Sequence, residues 1–328
     1  MFLRVRYITR LIWIFLLGAA YHLNAQLPAG SWRDHLPYGH GMQLKEYDHR
    51  IFCLSSDGSL FSCNMSDRTL KKHSKVNGLS DAFITTIGCS PDGKTFFIGY
   101  DNGNIDLIRN DSIINIPDIK RKMLAGNKSI NQVFFINQYA YLACSFGIVV
   151  CDLNRREIKD TYLFGFQGSQ IHVNALTSYQ HFLVAATAKG IYKADLNHPN
   201  LLDYTAWLHV SSLPDPDANY KYIVVHDQKL YTAYRHESPV TDEVIKFDDT
   251  GWETWIHSPS EEIFHLGTQN DEIIVTTANH TFSYDAGDQI KLDLVSYFAK
   301  DVLSDSQGYL WYAAWFGGLV SVAPTGGG

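Results

Sequence analysis

Seven copies of one short pattern divide this chain at intervals of about 40 to 45 residues. Each copy is an apolar strand, a turn and a second strand that often closes on Asp. It reads IFCLSSDGSLFSCN from Ile51, TFFIGYDNGNIDLIR from Thr95, YAYLACSFGIVVCDL from Tyr139 and HFLVAATAKGIYKADL from His181. It continues, stretched, as KLYTAYRHESPVTDEVIKFDD from Lys229, then as EIIVTTANHTFSYDA from Glu272 and YLWYAAWFGGLVSVA from Tyr309. A β repeat of this size cannot bury its own faces. Successive copies must stack, and the stacking solution at this period is a propeller with one blade per repeat. The expected fold is therefore all-β, a single seven-bladed β-propeller. Seven blades of about 42 residues use roughly 295 residues, so the 328-residue chain suits one closed domain better than two.

Within each copy the alternation has period two, and few positions are charged. Blades pack face to face, so both faces of each strand pair are expected to be buried. Gly58, Gly103, Gly147, Gly190 and Gly317 mark the hairpin turns. In repeat five His236 to Asp242 reads as a longer loop, and in repeat six Asn279-His280 takes the glycine's place. Inner strands are expected at Ala82 to Cys89 and near Asp301 to Ser304, and an outer strand at Gly251 to Ser258. The seventh repeat is followed by PTGGG and lacks an outer strand. GSWRDHLPYG, from Gly30, matches the outer-strand pattern GWETWIHSPS from Gly251. The segment Ser31 to Leu36 is thus expected to pair with residues 318–323 and complete the last blade, which removes two free edges.

Arg4, Arg6 and Arg10 precede an apolar run from Leu11 to Ala20, too short to span a bilayer. The expected division is a signal peptide over 1–25, the propeller over 26–323 and a truncated linker over 324–328. The protein is then exported, to the outer-membrane surface or the periplasm, with no transmembrane segment left after cleavage. The formal net charge is −7, and the first 25 residues hold three arginines and no acid, so the remainder is more acidic, at −10. That charge excludes a general nucleic-acid binder.

The five cysteines, Cys53, Cys63, Cys89, Cys144 and Cys151, are odd in number. Cys53 with Cys63, and Cys144 with Cys151, flank hairpin turns where disulfides are conceivable, but buried thiols acting as small apolar residues are the favoured reading. No cysteine or histidine set has zinc spacing, and His35 and His40 beside Asp34 straddle Leu-Pro-Tyr-Gly without converging. Asp57, Asp92 and Asp101 sit in turns and match no calcium loop. No nucleophile elbow is present. Arg155-Arg156 lies beside Glu157 and Asp160 and is expected to pair with them. Trp207, Tyr220, Tyr222, Trp252 and Trp255 could stack on sugars at blade edges, although filling the cores between blades accounts for most of them. The remaining cationic cluster is Lys120, Arg121 and Lys122, with Lys128 close behind. On an acidic chain it is the candidate site for an anionic glycan or lipid phosphate, against the plainer reading of a solvated connection between blades two and three.

Two stretches, VNGLSDAFITTIGCSPDGKTFFIGYDNGNIDLI from Val76 and DVLSDSQGYLWYAAWFGGL from Asp301, resemble the two-component-regulator propeller repeat. The segments SWRDHLPY at Ser31, NIPDIKRKMLAGNKSIN at Asn115, YAYLACSFGIVVCDLNRREIKDTYLFG at Tyr139 and GSQIHVNALT at Gly168 are more specific. Together they are similar to the N-terminal β-propeller of the PorZ family, components of the bacterial type IX secretion system, over essentially all of residues 26–323. The resemblance implies a non-catalytic, surface-exposed binding scaffold without a cofactor or metal. Its implied partners are attachment-complex proteins, including a sortase, and anionic lipopolysaccharide. Family members carry a second propeller and a sorting domain, so this sequence reads as a fragment or a shortened relative, the fragment being favoured. The alternative is a periplasmic ligand-sensing propeller of a hybrid two-component regulator.

Overall fold

The computed structural model describes residues 38–110, 112–237, 240–258, 261–295 and 298–323. They form seven antiparallel sheets in a ring, each strand hydrogen-bonded to the next in sequence. Blade one comprises Gly41–Tyr47, Arg50–Ser55, Leu60–Asn64 and Leu70–His73. The innermost strands of blades two to seven are Ile84–Cys89, Ile130–Ile136, Val173–Tyr179, Tyr220–His226, His265–Gln269 and Ala299–Ser304. Six sheets have four strands, and the seventh has three among the described residues. The expected closing strand Ser31 to Leu36, the signal peptide and residues 324–328 lie outside the described residues.

The period-two pattern divides each blade between two cores. In blade three Tyr141, Ala143, Ile148 and Val150 pack with Val173, Leu176 and Leu183 of blade four. The alternate residues Ala140, Leu142, Cys144, Val149 and Cys151 pack with Phe97, Ile105 and Leu107 of blade two. The register that permits this pairs Tyr141 with Val150 and Ala143 with Ile148. Asp or Asn at the end of the third strand has a local cause. Asn64, Asp152, Asp195 and Asp285 each accept the backbone N–H two residues on, at 2.8–2.9 Å, and so begin the turn to the outer strand.

Blades are also joined side chain to backbone around the axis. Gln43 Oε1 accepts from Ile87 N (2.9 Å) and Thr85 Oγ1 donates to Ile130 O (2.7 Å). Asn131 Nδ2 donates to Val173 O (2.7 Å) and Asn174 Nδ2 to Tyr220 O (2.8 Å). Tyr222 OH donates to Phe264 O (2.5 Å), and Gln269 bonds both N and O of Ser304. Asp301 Oδ2 accepts from Leu44 N (2.8 Å) and closes the circuit between blades seven and one. The same seam buries Leu44, Ile51 and Cys53 against Trp311 and Ala313. It is so tight that a Cβ on Gly41 would lie 2.4 Å from Gly318 O.

Several local expectations are corrected. The hairpin of repeat five is not a longer loop: Lys229–Glu237 and Val240–Phe247 pair as far as Glu237 and Val240. Repeat six turns without a left-handed Asn279, through a bond from Thr277 N to His280 O (2.8 Å). In repeat seven the left-handed residue is Gly318 (φ 65°), one position beyond the expected Gly317. All five cysteines are free. Cys53 stands opposite Phe61 and Cys63 opposite Ile51, while Cys151 faces Ala140, so the flanking cysteines are not cross-strand partners. Burial pushes the Cys53 thiol up to about 12, with nearby Asp301 adding to the shift.

Asp301 is buried, so removing its carboxylate strands the Leu44 N–H at the seam. Asp301→Ala is expected to lower the unfolding free energy by about 2–3 kcal/mol, read as a fall in the urea midpoint at unchanged m-value, with Asp301→Asn intermediate. A second expectation concerns acid. His73 accepts or donates at Ser62 Oγ (2.8 Å) and packs on Phe52. Burial, then Lys71 and Arg50, depress it from 6.5 to about 4. Between these values the unfolded chain binds the additional proton. This histidine therefore withdraws stability as pH falls from 6.5 to 4, by at most about 1.4 kcal/mol per pH unit. Denaturation of His73→Gln across that window should show a shallower slope than the parent.

Candidate functional site at the channel mouth

The ring encloses a central channel with a cavity of about 490 Å³. Its mouth is built by a repeated defect. In six blades the innermost strand carries a β-bulge at its second residue, which leaves that residue out of the ladder. The residues so displaced are Met42, Thr85, Asn131, Asn174, Lys221 and Lys300, and all six line the cavity. A bulge re-aims the side chain it releases; here it turns one residue per blade toward the axis. Blade six has no bulge and presents His265.

These positions divide by duty. Thr85, Asn131 and Asn174 hold the next blade's backbone. In blades five and seven the residue that follows, Tyr222 or Asp301, makes the inter-blade bond instead. Lys221 and Lys300 are thereby released from it. Lys221 Nζ lies 3.2 Å from Glu262 Oε1, and Glu262 Oε2 lies 3.6 Å from Arg235 Nη2. Arg235 Nε in turn lies 2.5 Å from Asp242 Oδ1. Lys300 Nζ sits 2.9 Å from the Phe264 ring centroid and 5.5 Å from that of Trp315. Burial lowers the Lys300 pKa, with Glu262 opposing and Lys221 reinforcing the shift. Burial likewise lowers His265, against the pull of Asp301 3.5 Å away. Both Asp301 oxygens accept backbone N–H groups, from Leu44 and Val302, so this carboxylate is structural.

The rim around the mouth is aromatic. The residue before the innermost strand accepts a bond from its own blade's hairpin in five blades, as Phe83 O does from Asp101 N and Phe298 O from Trp315 N (both 3.1 Å). At three of these positions, His40, Phe83 and Phe298, φ is positive, at 32°, 58° and 54°. A phenylalanine gains no hydrogen bond there to offset the steric cost. Phe83 is 62% exposed and Phe316, edge-on to Phe298, is 73% exposed. Phe166 and Met123, on neighbouring connections of the same face, are also exposed.

The candidate cluster of the sequence lies elsewhere, on the connection between blades two and three. Lys120 and Arg121 end the one-turn helix Asp118–Arg121. Lys120 Nζ pairs with Asp81 Oδ2 (2.5 Å). Lys128 Nζ donates to Lys120 O (2.9 Å) and Lys122 O (2.6 Å). Two of the four cations thus fasten the connection, while Arg121 and Lys122 are exposed. Lys122 also borders a groove with Leu124, Phe146 and Ile158. Arg155 does pair with Glu157 (3.6 Å), and Trp207 and Tyr220 are core residues. Lys45, Lys221, His265 and Lys300 were not singled out by sequence. For Lys221 and Lys300 the available signal was a polar or cationic second residue in the inner strands of blades two to five and seven. Among the described residues no three metal-ligating side chains cluster.

Residues 51–208 match the family described as the type IX secretion PorZ N-terminal β-propeller domain. That stretch belongs to the PorZ propeller family. Among solved structures, the PorZ surface component of the type IX secretion system of Porphyromonas gingivalis superposes with a TM-score of 0.75 at 20% identity. The match covers 91% of this chain but 38% of that one, so the chain spans well under half of its neighbour's length. The extracellular domain of a putative hybrid two-component system from B. thetaiotaomicron gives 0.52 at 16% identity, covering 77% of this chain and 42% of that one. The Cps50 (Swd1) propeller of Myceliophteria thermophila gives 0.61 at 9%, covering 90% and 100%. At these identities the structural likenesses establish the fold alone. No curated protein matches the chain.

The strained rim gives a direct expectation. Glycine takes a positive φ freely, so Phe83→Gly should be about 1 kcal/mol more stable than Phe83→Ala, measured by chemical denaturation of the two variants side by side.

Proposed function

We propose that this chain is the binding propeller of a surface component of a type IX secretion system. It works as a non-catalytic scaffold exported to the outer-membrane surface or the periplasm. Its partners are attachment-complex proteins, a sortase among them, and anionic lipopolysaccharide. The observation that carries this reading is the family match over residues 51–208, a continuous stretch from blade one to blade four. The solved neighbour of that family is described as an essential bacterial surface component of this system. The aromatic rim supports a protein-docking face, because Phe83 and Phe298 are held there at a backbone cost and Phe316 is exposed beside Phe298. The exposed Arg121 and Lys122 support contact with an anionic headgroup. A two-component sensor remains the second reading, favoured by the extracellular-domain likeness at the level of fold.

The test is retention. The immobilised protein should capture attachment-complex proteins from outer-membrane extract, and Phe83→Ala with Phe316→Ala should abolish that capture. Lipopolysaccharide vesicles should also be retained. Arg121→Ala with Lys122→Ala should weaken that retention by about 2 kcal/mol, roughly thirtyfold, at low salt, whereas Lys120→Ala should instead loosen the connection it fastens. Capture of neither partner, or turnover of a glycan by the purified protein, would overturn the proposal.

A further inference from the structure

The channel holds more cationic charge than its own carboxylates answer. Lys45, Lys221 and Lys300 all line the one cavity. Of the carboxylates near them, Glu262 is shared by Lys221 and Arg235, and Asp301 is bound to two backbone N–H groups and faces His265. Asp242 is held by Arg235 and by Ile263 N. Lys45 and Lys300 have no carboxylate within ion-pair distance among the described residues. Lys300 rests on aromatic faces, half-buried. In a protein of net charge −7, with carboxylates free elsewhere on the surface, two cations left unanswered inside one cavity are a specific arrangement.

We propose that the channel binds a small linear dicarboxylate. Two unanswered ammonium groups call for two negative charges. Their depths differ: Lys300 is the second residue of its strand at the mouth, and Lys45 is the fifth of Gly41–Tyr47. Three residues of strand correspond to about 10 Å, a separation that two carboxylates on a short carbon chain can meet and a single phosphate cannot. The cavity, about 490 Å³, falls within the range of small-molecule sites. Apolar wall residues, among them Met42, Leu44 and Val224, suit the methylenes between the charges. The lysines are also free to serve. Tyr222 and Asp301 carry the structural bonds that the equivalent bulge residues carry in blades two, three and four. This inference does not depend on the secretion role, and a sensor domain would use the site equally well.

Isothermal titration of the full chain with succinate, glutarate and adipate, against acetate and inorganic phosphate, decides it. At least one dicarboxylate should bind tenfold or more tightly than acetate and phosphate. Lys300→Met and Lys45→Met, which keep the side-chain length and remove the charge, should each weaken binding at least tenfold. Lys94→Met, on an exposed turn outside the channel, should leave it unchanged. Unfolding midpoints verify that each variant is folded. If one is not, amide chemical-shift changes in the parent protein on titration carry the test, and they should centre on the residues flanking Lys45 in Gly41–Tyr47 and Lys300 in Ala299–Ser304. Absence of dicarboxylate binding at 10-millimolar order, equal binding of acetate or phosphate, or retained affinity in the folded lysine variants would overturn the proposal.

Discussion

The bond from Leu44 N to the Asp301 carboxylate joins residues 257 positions apart, and the ring depends on contacts of this kind. Each sheet is locally determined, made of consecutive strands joined by short turns. Nothing within a sheet dictates how many sheets follow or whether the last returns to the first. That information lies between blades, in side chains that reach from one inner strand to the backbone of the next. Such a bond satisfies a buried peptide group, so losing it costs the desolvation of that group as well as the contact. The seam also bears the largest loop-closure entropy in the fold. A carboxylate, which accepts more strongly than an amide or hydroxyl, occupies that position.

The same circuit explains how a channel can be both frame and site. At the bulge position, threonine and asparagine in blades two to four are committed to the neighbouring backbone. Shifting that duty by one residue in blades five and seven preserves the frame and frees a lysine in each. The substitution would be ruinous without the shift, because a lysine cannot replace the lost bond geometry while its charge stays desolvated. Tyr222 and Asp301 therefore make Lys221 and Lys300 tolerable. The charged sector of the mouth, in blades five to seven, faces an amide sector in blades three and four.

Architecture was legible because it is written locally and repeatedly. The hairpin from Tyr139 to Asp152 declares its two faces by alternation, and its closing Asp declares the turn. Inner strands were placed to within about two residues. What failed to show depends on register or on neighbours distant in sequence. Cys53 and Cys63 flank a turn symmetrically in the sequence, yet the register sets each against an aliphatic or aromatic residue. The Lys120 cluster looked like free positive charge because Asp81, which answers Lys120, is 39 residues away. Lys221 and Lys300 went unmarked because each repeat fills the bulge position differently, and Lys45 because it lies deeper on a regularly paired stretch of its strand.

The rim and the channel adjoin through ring contacts, and that has a thermodynamic consequence. Phe298 lies 6.1 Å from Phe264, the ring beneath Lys300, and edge-on to exposed Phe316. Trp315, the other ring near Lys300, stacks on His40 at the opposite side of the seam. A partner settling on the exposed rings would touch the same aromatic layer that supports the channel cation. If both the rim and the channel are occupied in service, their affinities are coupled, and the coupling is reciprocal: whatever a small anion does to partner binding, the partner does to the anion. The sign follows from electrostatics. A partner that excludes water from the mouth raises the cost of an unanswered Lys300, so docking and anion binding should reinforce one another.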